Sequence, residues 1–128
     1  MILLDTCTLY WIVSDPAKLS NSAKNALRAN FGSLHISSIS AFEVVLNHHK
    51  NRVVLPSDPR TWFASVIGRY NITCLPITWE IAAASASLPT IHSDPADRII
   101  IATAIAHTMP ILTPDRHIAA YPGATIVW

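Results

Sequence analysis

The chain has 128 residues, of which 51% are hydrophobic and 13% are charged, and its formal net charge is +1. A chain of this length and apolarity suits a single folded domain over residues 1–128 and excludes a disordered protein. Because so small a net charge provides no global basic field, a polynucleotide partner would have to be held locally, with metal ions offsetting the phosphate charge.

The first half of the chain alternates short apolar strands with helices. The pattern predicts strands over 1–5 and 34–37 and helices over 6–13, 20–30 and 40–50. Ser40 and Glu43 have the Ser-x-x-Glu spacing of a capping box, in which both side chains bond to free amides at the start of their own helix. Asn51 is placed to adopt the left-handed conformation that ends this helix.

The second half repeats the alternation. Asp58-Pro59 and Asp94-Pro95 each combine an N-cap residue with proline at the first helical position, which predicts helices from these points to about 69 and about 107. Thr78 caps a further helix, and strands are predicted over 72–77, 110–113 and 124–128. The apolar run 99–106 indicates that the helix containing it is packed inside the domain.

Together these elements predict an α/β fold of three layers, in which a mostly parallel central sheet of about five short strands carries helices on both faces. Asp5 interrupts the N-terminal apolar stretch before a signal peptide can form, and the run 99–106 is too short to span a bilayer, so we expect a cytoplasmic protein. Cys7 and Cys74 match neither a zinc spacing nor a disulfide framework and are expected to be small buried side chains.

Four of the eight acidic residues are predicted to meet at one end of this sheet. Asp5 ends the first strand, Glu43 and Asp97 lie in the first turns of their helices, and Asp115 follows the fourth strand. Carboxylates in one pocket repel one another unless a cation lies among them, and oxygen-only ligation favours Mg²⁺ or Mn²⁺. Taken singly, Glu43, Asp94 and Asp115 also suit helix caps or turns.

Four segments in particular resemble the PIN-domain family, and within it the VapC-like toxin ribonucleases of type II toxin–antitoxin systems. They are ILLDTCTLYW, SSISAFEV, HSDPADRIIIATAIAH and PILTPDRHIAAYPG, and they occur in family order across nearly the whole chain. The third segment is the most specific of the four, whereas a strand that ends in aspartate is by itself a weak signal.

The resemblance implies roles for individual residues. It implies that Asp5, Glu43, Asp97 and Asp115 form the catalytic metal site and that Asp94 is an additional acid one turn before Asp97. Thr6 and Thr113 match small hydroxyl positions that orient a carboxylate or a water, or that cap strand ends. Arg98 and Arg116 are the basic residues near the site, and they are expected either to contact RNA phosphates or to pair with neighbouring acids. Asn47 stands where many relatives carry lysine, and Asn51 stands where they often carry glycine.

The function implied is that of a Mg²⁺- or Mn²⁺-dependent endoribonuclease, the toxin of a VapBC-like pair, with RNA as substrate, a VapB-like antitoxin as partner and a homodimeric assembly. One alternative is a non-catalytic PIN-fold binding domain, and another is a different α/β phosphotransfer enzyme or phosphatase. A haloacid-type phosphatase requires aspartate where Cys7 stands, and a receiver domain requires aspartate at the end of the third strand, where Ile77 and Thr78 lie. The six histidines show no paired zinc spacing.

Overall fold

The computed structural model describes all 128 residues, which form five strands and seven α-helices. The strands are β1 (Ile2–Leu4), β2 (Leu34–Ser37), β3 (Thr73–Leu75), β4 (Ile111–Leu112) and β5 (Ile126–Val127). The helices are α1 (Thr6–Ser14), α2 (Asn21–Ala29), α3 (Ile39–His49), α4 (Pro59–Tyr70), α5 (Trp79–Ala86), α6 (Pro95–His107) and α7 (Arg116–Ala119).

The strands form one sheet in the order β3-β2-β1-β4-β5, and every neighbouring pair is parallel. Strand β1 lies in the centre, with Leu4 beside Ile36 of β2 on one side and Leu112 of β4 on the other. The chain therefore adds β2 and β3 to one side of β1 and β4 and β5 to the other. Such a reversal of strand order opens a crevice at the carboxyl ends of the central strands, where ligands bind in open α/β sheets.

Successive residues of β1 face different layers, as the alternation of side chains along a strand requires. Ile2 and Leu4 belong to one buried cluster with Trp62 of α4, and Leu3 belongs to another with Ile100 of α6. Each of these side chains is at most 3% exposed. Both faces of the sheet are thus covered, which confirms the predicted three-layer α/β fold with a parallel sheet of five short strands.

Most element positions agree with the sequence-based prediction, and the differences have local causes. Asn51 has the predicted left-handed φ of 55°. Helix α6 is buried from Ile100 to Ala104, but its last turn projects beyond the core, so Ile105 is exposed. The short helix α7 follows Asp115, where only a turn was expected. None of the helices combines the length and apolarity needed to cross a membrane.

The expectation of buried cysteines is wrong, because Cys7 and Cys74 are both exposed. Cys7 lies on the side of α1 that faces the crevice, and Cys74 lies on the edge strand β3, where Thr73 is exposed as well. An apolar run in the sequence therefore did not indicate that every member of the run is buried.

Candidate active site

Asp5 is fixed at the junction between the central strand β1 and helix α1. One carboxylate oxygen, Oδ1, accepts the Thr8 amide at 2.7 Å and caps the helix, and the other, Oδ2, accepts the Thr113 hydroxyl. The residue is only 4% exposed. Burial raises the pKa of Asp5 above its usual value, the bonds from Thr113 and Thr8 oppose this, and the charge of Asp115 adds to it.

Glu43 reaches the same crevice from α3. Its Oε1 accepts the Thr6 hydroxyl, and the Thr6 oxygen lies 2.9 Å from the Ser40 hydroxyl. Since Thr6 has one hydrogen and gives it to Glu43, Ser40 donates to Thr6. Burial raises the pKa of Glu43 to about 7, opposed by the Thr6 bond and reinforced by the charges of Asp97, Asp94 and Asp5.

The capping box predicted for Ser40 and Glu43 is wrong. Helix α3 begins one residue earlier, at Ile39, and Ser38 is its N-cap residue without a side-chain hydrogen bond. Ser40 and Glu43 bond instead to Thr6 of α1, because that helix packs beside the start of α3. The two side chains join different elements and do not satisfy the amides of their own helix.

Two further acids lie at the start of α6. Asp94 is the N-cap residue, as predicted, and its Oδ1 accepts the amides of Ala96 at 2.8 Å and Asp97 at 3.2 Å. The Asp97 oxygen Oδ2 lies 3.0 Å from Nε2 of His92. Burial raises the pKa of Asp97 to about 6, and the negative charge of Asp94 adds to this, while the bond from His92 opposes it.

Asp115 completes the group from the segment after β4. Its Oδ1 accepts the His117 amide at 2.8 Å and caps α7, and its own amide donates to the Thr113 hydroxyl oxygen at 3.1 Å. Thr113 therefore connects two acids, because the same hydroxyl donates to Asp5. This explains how a threonine that is almost fully buried sets the relative positions of Asp5 and Asp115.

The five carboxylates line one cavity of about 330 Å³ at the carboxyl end of the sheet, and no lysine, arginine or histidine is among its lining residues. Glu43, Asp94, Asp97 and Asp115 each have one oxygen that is hydrogen-bonded within the chain and one that is not. The free carboxylate oxygens, the raised pKa values of Asp5, Glu43 and Asp97, and the lack of any cation in the lining all fit a hard divalent cation such as Mg²⁺ or Mn²⁺.

The structure thus brings together Asp5, Glu43, Asp94, Asp97 and Asp115, with Thr6 and Thr113 bonded to two of them. The two arginines behave differently. The Arg98 guanidinium donates to backbone carbonyls of the α5–α6 loop and to the Tyr121 hydroxyl. It pairs with no acid, and both of its terminal nitrogens are already bonded within the chain. Arg116 is exposed in the first turn of α7, beside Asp115, and forms no ion pair.

Sequence reasoning missed His92 and the role of Ser40. The signal for His92 was available, because it stands two residues before the N-cap Asp94 and so must lie near the carboxyl end of the sheet. Asn47 is among the residues that line the cavity, together with the acids.

Residues 2–124 match the family model described as PIN domain. Ribonuclease VapC22 of Mycobacterium tuberculosis is 32% identical over 130 residues, which covers 99% of this chain and 98% of that protein. Two solved structures share the fold. VapBC2 from Rickettsia felis, bound to a promoter DNA fragment, has a TM-score of 0.73 at 17% identity, covering 98% of this chain and 97% of that one. A toxin–antitoxin complex from Klebsiella pneumoniae has a TM-score of 0.63 at 27% identity, covering 98% and 96%.

Proposed function

The chain belongs to the PIN-domain family, and we propose that it is a Mg²⁺- or Mn²⁺-dependent endoribonuclease that acts as the toxin of a VapBC-like toxin–antitoxin pair. The observation that carries the proposal is the cavity at the carboxyl end of the sheet, where five carboxylates meet without a compensating cation. The full-length similarity to a ribonuclease supports RNA as the substrate.

In this proposal Asp5, Glu43, Asp97 and Asp115 hold the metal. When bound, a divalent cation supplies charge that offsets the phosphate and lowers the pKa of an attacking water. The Thr113 and Thr6 hydroxyls keep the Asp5 and Glu43 carboxylates in place, and Asp94 fixes the first turn of α6, from which Asp97 projects.

The reaction is hydrolysis of an RNA phosphodiester. Water adds to phosphorus, the bond from phosphorus to the 3′ oxygen breaks, and the products carry a 5′-phosphate and a 3′-hydroxyl. The exposed Arg116 beside Asp115 is placed to attract substrate phosphates toward the cavity. We do not assign such a role to Arg98, whose guanidinium is bonded to the α5–α6 loop.

The test is cleavage of RNA by the purified chain with Mg²⁺ and with excess chelator, comparing wild type with Asp97→Asn. We expect chelation to abolish cleavage and Asp97→Asn to reduce it at least about 100-fold, since a charged ligand is removed. Asp58→Asn is the matched control, because Asp58 also caps a helix but lies outside the cavity. Cleavage that survives the chelator would favour a histidine mechanism, and complete absence of cleavage in the wild type would favour a non-catalytic binding domain.

We further propose a VapB-like antitoxin as partner, supported by the toxin–antitoxin complexes that share this fold, and a homodimer of a single-domain, cytoplasmic chain. The exposed Phe42 and Leu46 on the outer side of α3 form apolar surface that a second copy would cover. Light scattering at micromolar concentration tests the assembly, and a strictly monomeric mass would contradict it.

A further inference from the structure

His92 contacts an acid of the cavity although it does not itself line the cavity. It lies in the loop between α5 and α6, and its Nε2 is 3.0 Å from Oδ2 of Asp97. A carboxylate oxygen can only accept, so Nε2 carries the hydrogen and donates. The other Asp97 oxygen, Oδ1, makes no hydrogen bond within the chain. The bond from His92 therefore restricts rotation of the carboxylate and leaves one oxygen available.

His92 is held in place through its ring and through its backbone. Its ring stacks on that of His117, with centroids 4.8 Å apart and planes inclined by 10°. Its backbone amide donates to the Tyr121 hydroxyl oxygen at 2.8 Å, and the Tyr121 hydroxyl donates to its carbonyl at 3.0 Å. Tyr121 is 2% exposed and belongs to the buried cluster beneath α6. The loop position of His92 is thus tied to the core.

Arg98 fastens the same loop. Its guanidinium donates to the carbonyls of Leu88 at 2.8 Å, Pro89 at 2.9 Å and His92 at 3.3 Å, and to the Tyr121 hydroxyl at 3.2 Å. Because one planar group donates several hydrogen bonds to the loop, the loop has little freedom to move. The hydrogen bonds thus run from Arg98 and Tyr121 through His92 to Asp97.

We propose that His92 is a positioning residue for the cavity: it orients Asp97 so that one carboxylate oxygen is presented to the metal. Arg98 and Tyr121 hold the backbone of His92, and His117 stacks on its ring. This inference rests on the proposed function, in which Asp97 is a ligand. Partners that hydrogen-bond to metal ligands in this way commonly change metal affinity about 10–100-fold when they are removed.

A competing role for His92 is direct ligation, since one ligand atom each of His92, Asp94 and Asp97 lie within 4.8 Å of one another. Two variants separate these roles. His92→Phe keeps a flat ring that can stack on His117 but lacks the donor. His92→Gln gives up the ring but places an amide N–H at a reach similar to that of Nε2, so it restores the bond to Asp97.

The measurement is Mn²⁺ binding to the RNA-free protein by calorimetry. We expect His92→Phe to weaken the affinity about 10–100-fold and His92→Gln to stay within about threefold of wild type. His107→Phe is the matched control, because His107 lies in the last turn of the same helix as Asp97, is exposed, and should leave the affinity unchanged.

Each outcome decides the matter. Equal Mn²⁺ affinity of His92→Phe and wild type would overturn the positioning role while leaving the proposed function intact. A loss in His92→Gln as large as that in His92→Phe would overturn it in favour of direct ligation. A wild-type protein that binds no Mn²⁺ would remove the basis of both the positioning role and the proposed function.

Discussion

At the scale of single residues, the candidate site contains carboxylates whose ionised form is destabilised by burial and by neighbouring acids. Asp5 and Thr113 are buried together, and Glu43 and Asp97 are half-buried beside other acids. Burial is the largest cause of the raised pKa of each of these three acids. The hydrogen bonds from the Thr6 and Thr113 hydroxyls offset only part of this rise in pKa. A cation in the cavity would therefore stabilise the ionised carboxylates.

This charge predicts the pH dependence of the metal-free protein. The pKa is raised from 4.5 to about 7 for Glu43 and from 3.8 to about 6 for Asp97. The folded chain therefore keeps protons that the unfolded chain has already released, and the free energy of unfolding falls as the pH rises from about 4 to about 7. At lower pH both states are protonated and this contribution disappears.

The measurement is the melting temperature in chelator across this pH range for wild type and Glu43→Gln. The variant should lose part of the decline and be the more stable protein near neutral pH. Added Mg²⁺ should raise the wild-type melting temperature more at about pH 7.5 than at about pH 5.5, because metal binding displaces protons. If the melting temperature of the wild type fell with pH no more steeply than that of Glu43→Gln, the raised pKa of Glu43 would not be a cause of the decline.

At the scale of elements, three helices begin at the cavity. Asp5, Asp94 and Asp115 are the N-cap residues of α1, α6 and α7, and in each case one carboxylate oxygen accepts amides of its own helix. The partial positive charge of a helix N-terminus stabilises a nearby carboxylate. Asp94 and Asp115 can therefore cap their helices and also take part in the cavity, because capping uses only one of the two carboxylate oxygens.

The end of α6 carries a local strain that a substitution can test. Thr108 has a left-handed conformation (φ 52°, ψ 47°), which is costly for a β-branched residue. Thr108→Gly removes about 1–2 kcal/mol of steric strain and adds less than about 1 kcal/mol of unfolded-state entropy. We expect a net gain of about 0.5–1 kcal/mol in the free energy of unfolding.

Urea denaturation measures this gain. Asn71→Gly is the matched control, since Asn71 ends α4 with nearly the same angles (φ 51°, ψ 49°) but is of a type that tolerates them. A stabilisation of Asn71→Gly equal to that of Thr108→Gly would show that side-chain strain at Thr108 is not the cause.

At the scale of the whole molecule, the strand order decides where the cavity opens. Strand β1 lies between β2 and β4, so Asp5 lies at the centre of the sheet's carboxyl edge, with α3 on one side and the β4–α7 segment on the other. A group of carboxylates that attracts a divalent cation also attracts a guanidinium, which binds carboxylates through two hydrogen bonds. We therefore predict that the proposed antitoxin inhibits by placing an arginine in this cavity.

Such an arginine would compete with the metal. At fixed ionic strength, the antitoxin affinity measured by calorimetry should fall about tenfold when free Mg²⁺ is about ten times its own dissociation constant. Fixed ionic strength is needed because screening alone weakens charged contacts. Asp97→Asn should weaken antitoxin binding, and Asp58→Asn should not. Affinity that is indifferent to Mg²⁺ and to Asp97→Asn would leave steric occlusion of the cavity as the mode of inhibition.

Sequence patterns alone predicted most of the strands and helices, and they predicted the end of the sheet at which the acids gather. Asp58-Pro59 and Asp94-Pro95 predicted helix starts that the structure confirms, because capping involves residues at most a few positions apart. The placement of Asp5 and Asp115 followed from strand direction alone, since the carboxyl ends of parallel strands share an edge. For the same reason Asp97, at the start of α6, was expected in the same cavity.

The contacts of individual side chains became known only from the folded chain. Thr6 lies 37 residues from Glu43, and Thr113 lies 108 residues from Asp5, yet these pairs are hydrogen-bonded. The burial of Cys7 and the capping box at Ser40 were predicted wrongly for the same reason that His92 was missed. Exposure and the choice of hydrogen-bond partner depend on which distant elements pack side by side, and periodicity and capping signals reach no further than about one helical turn.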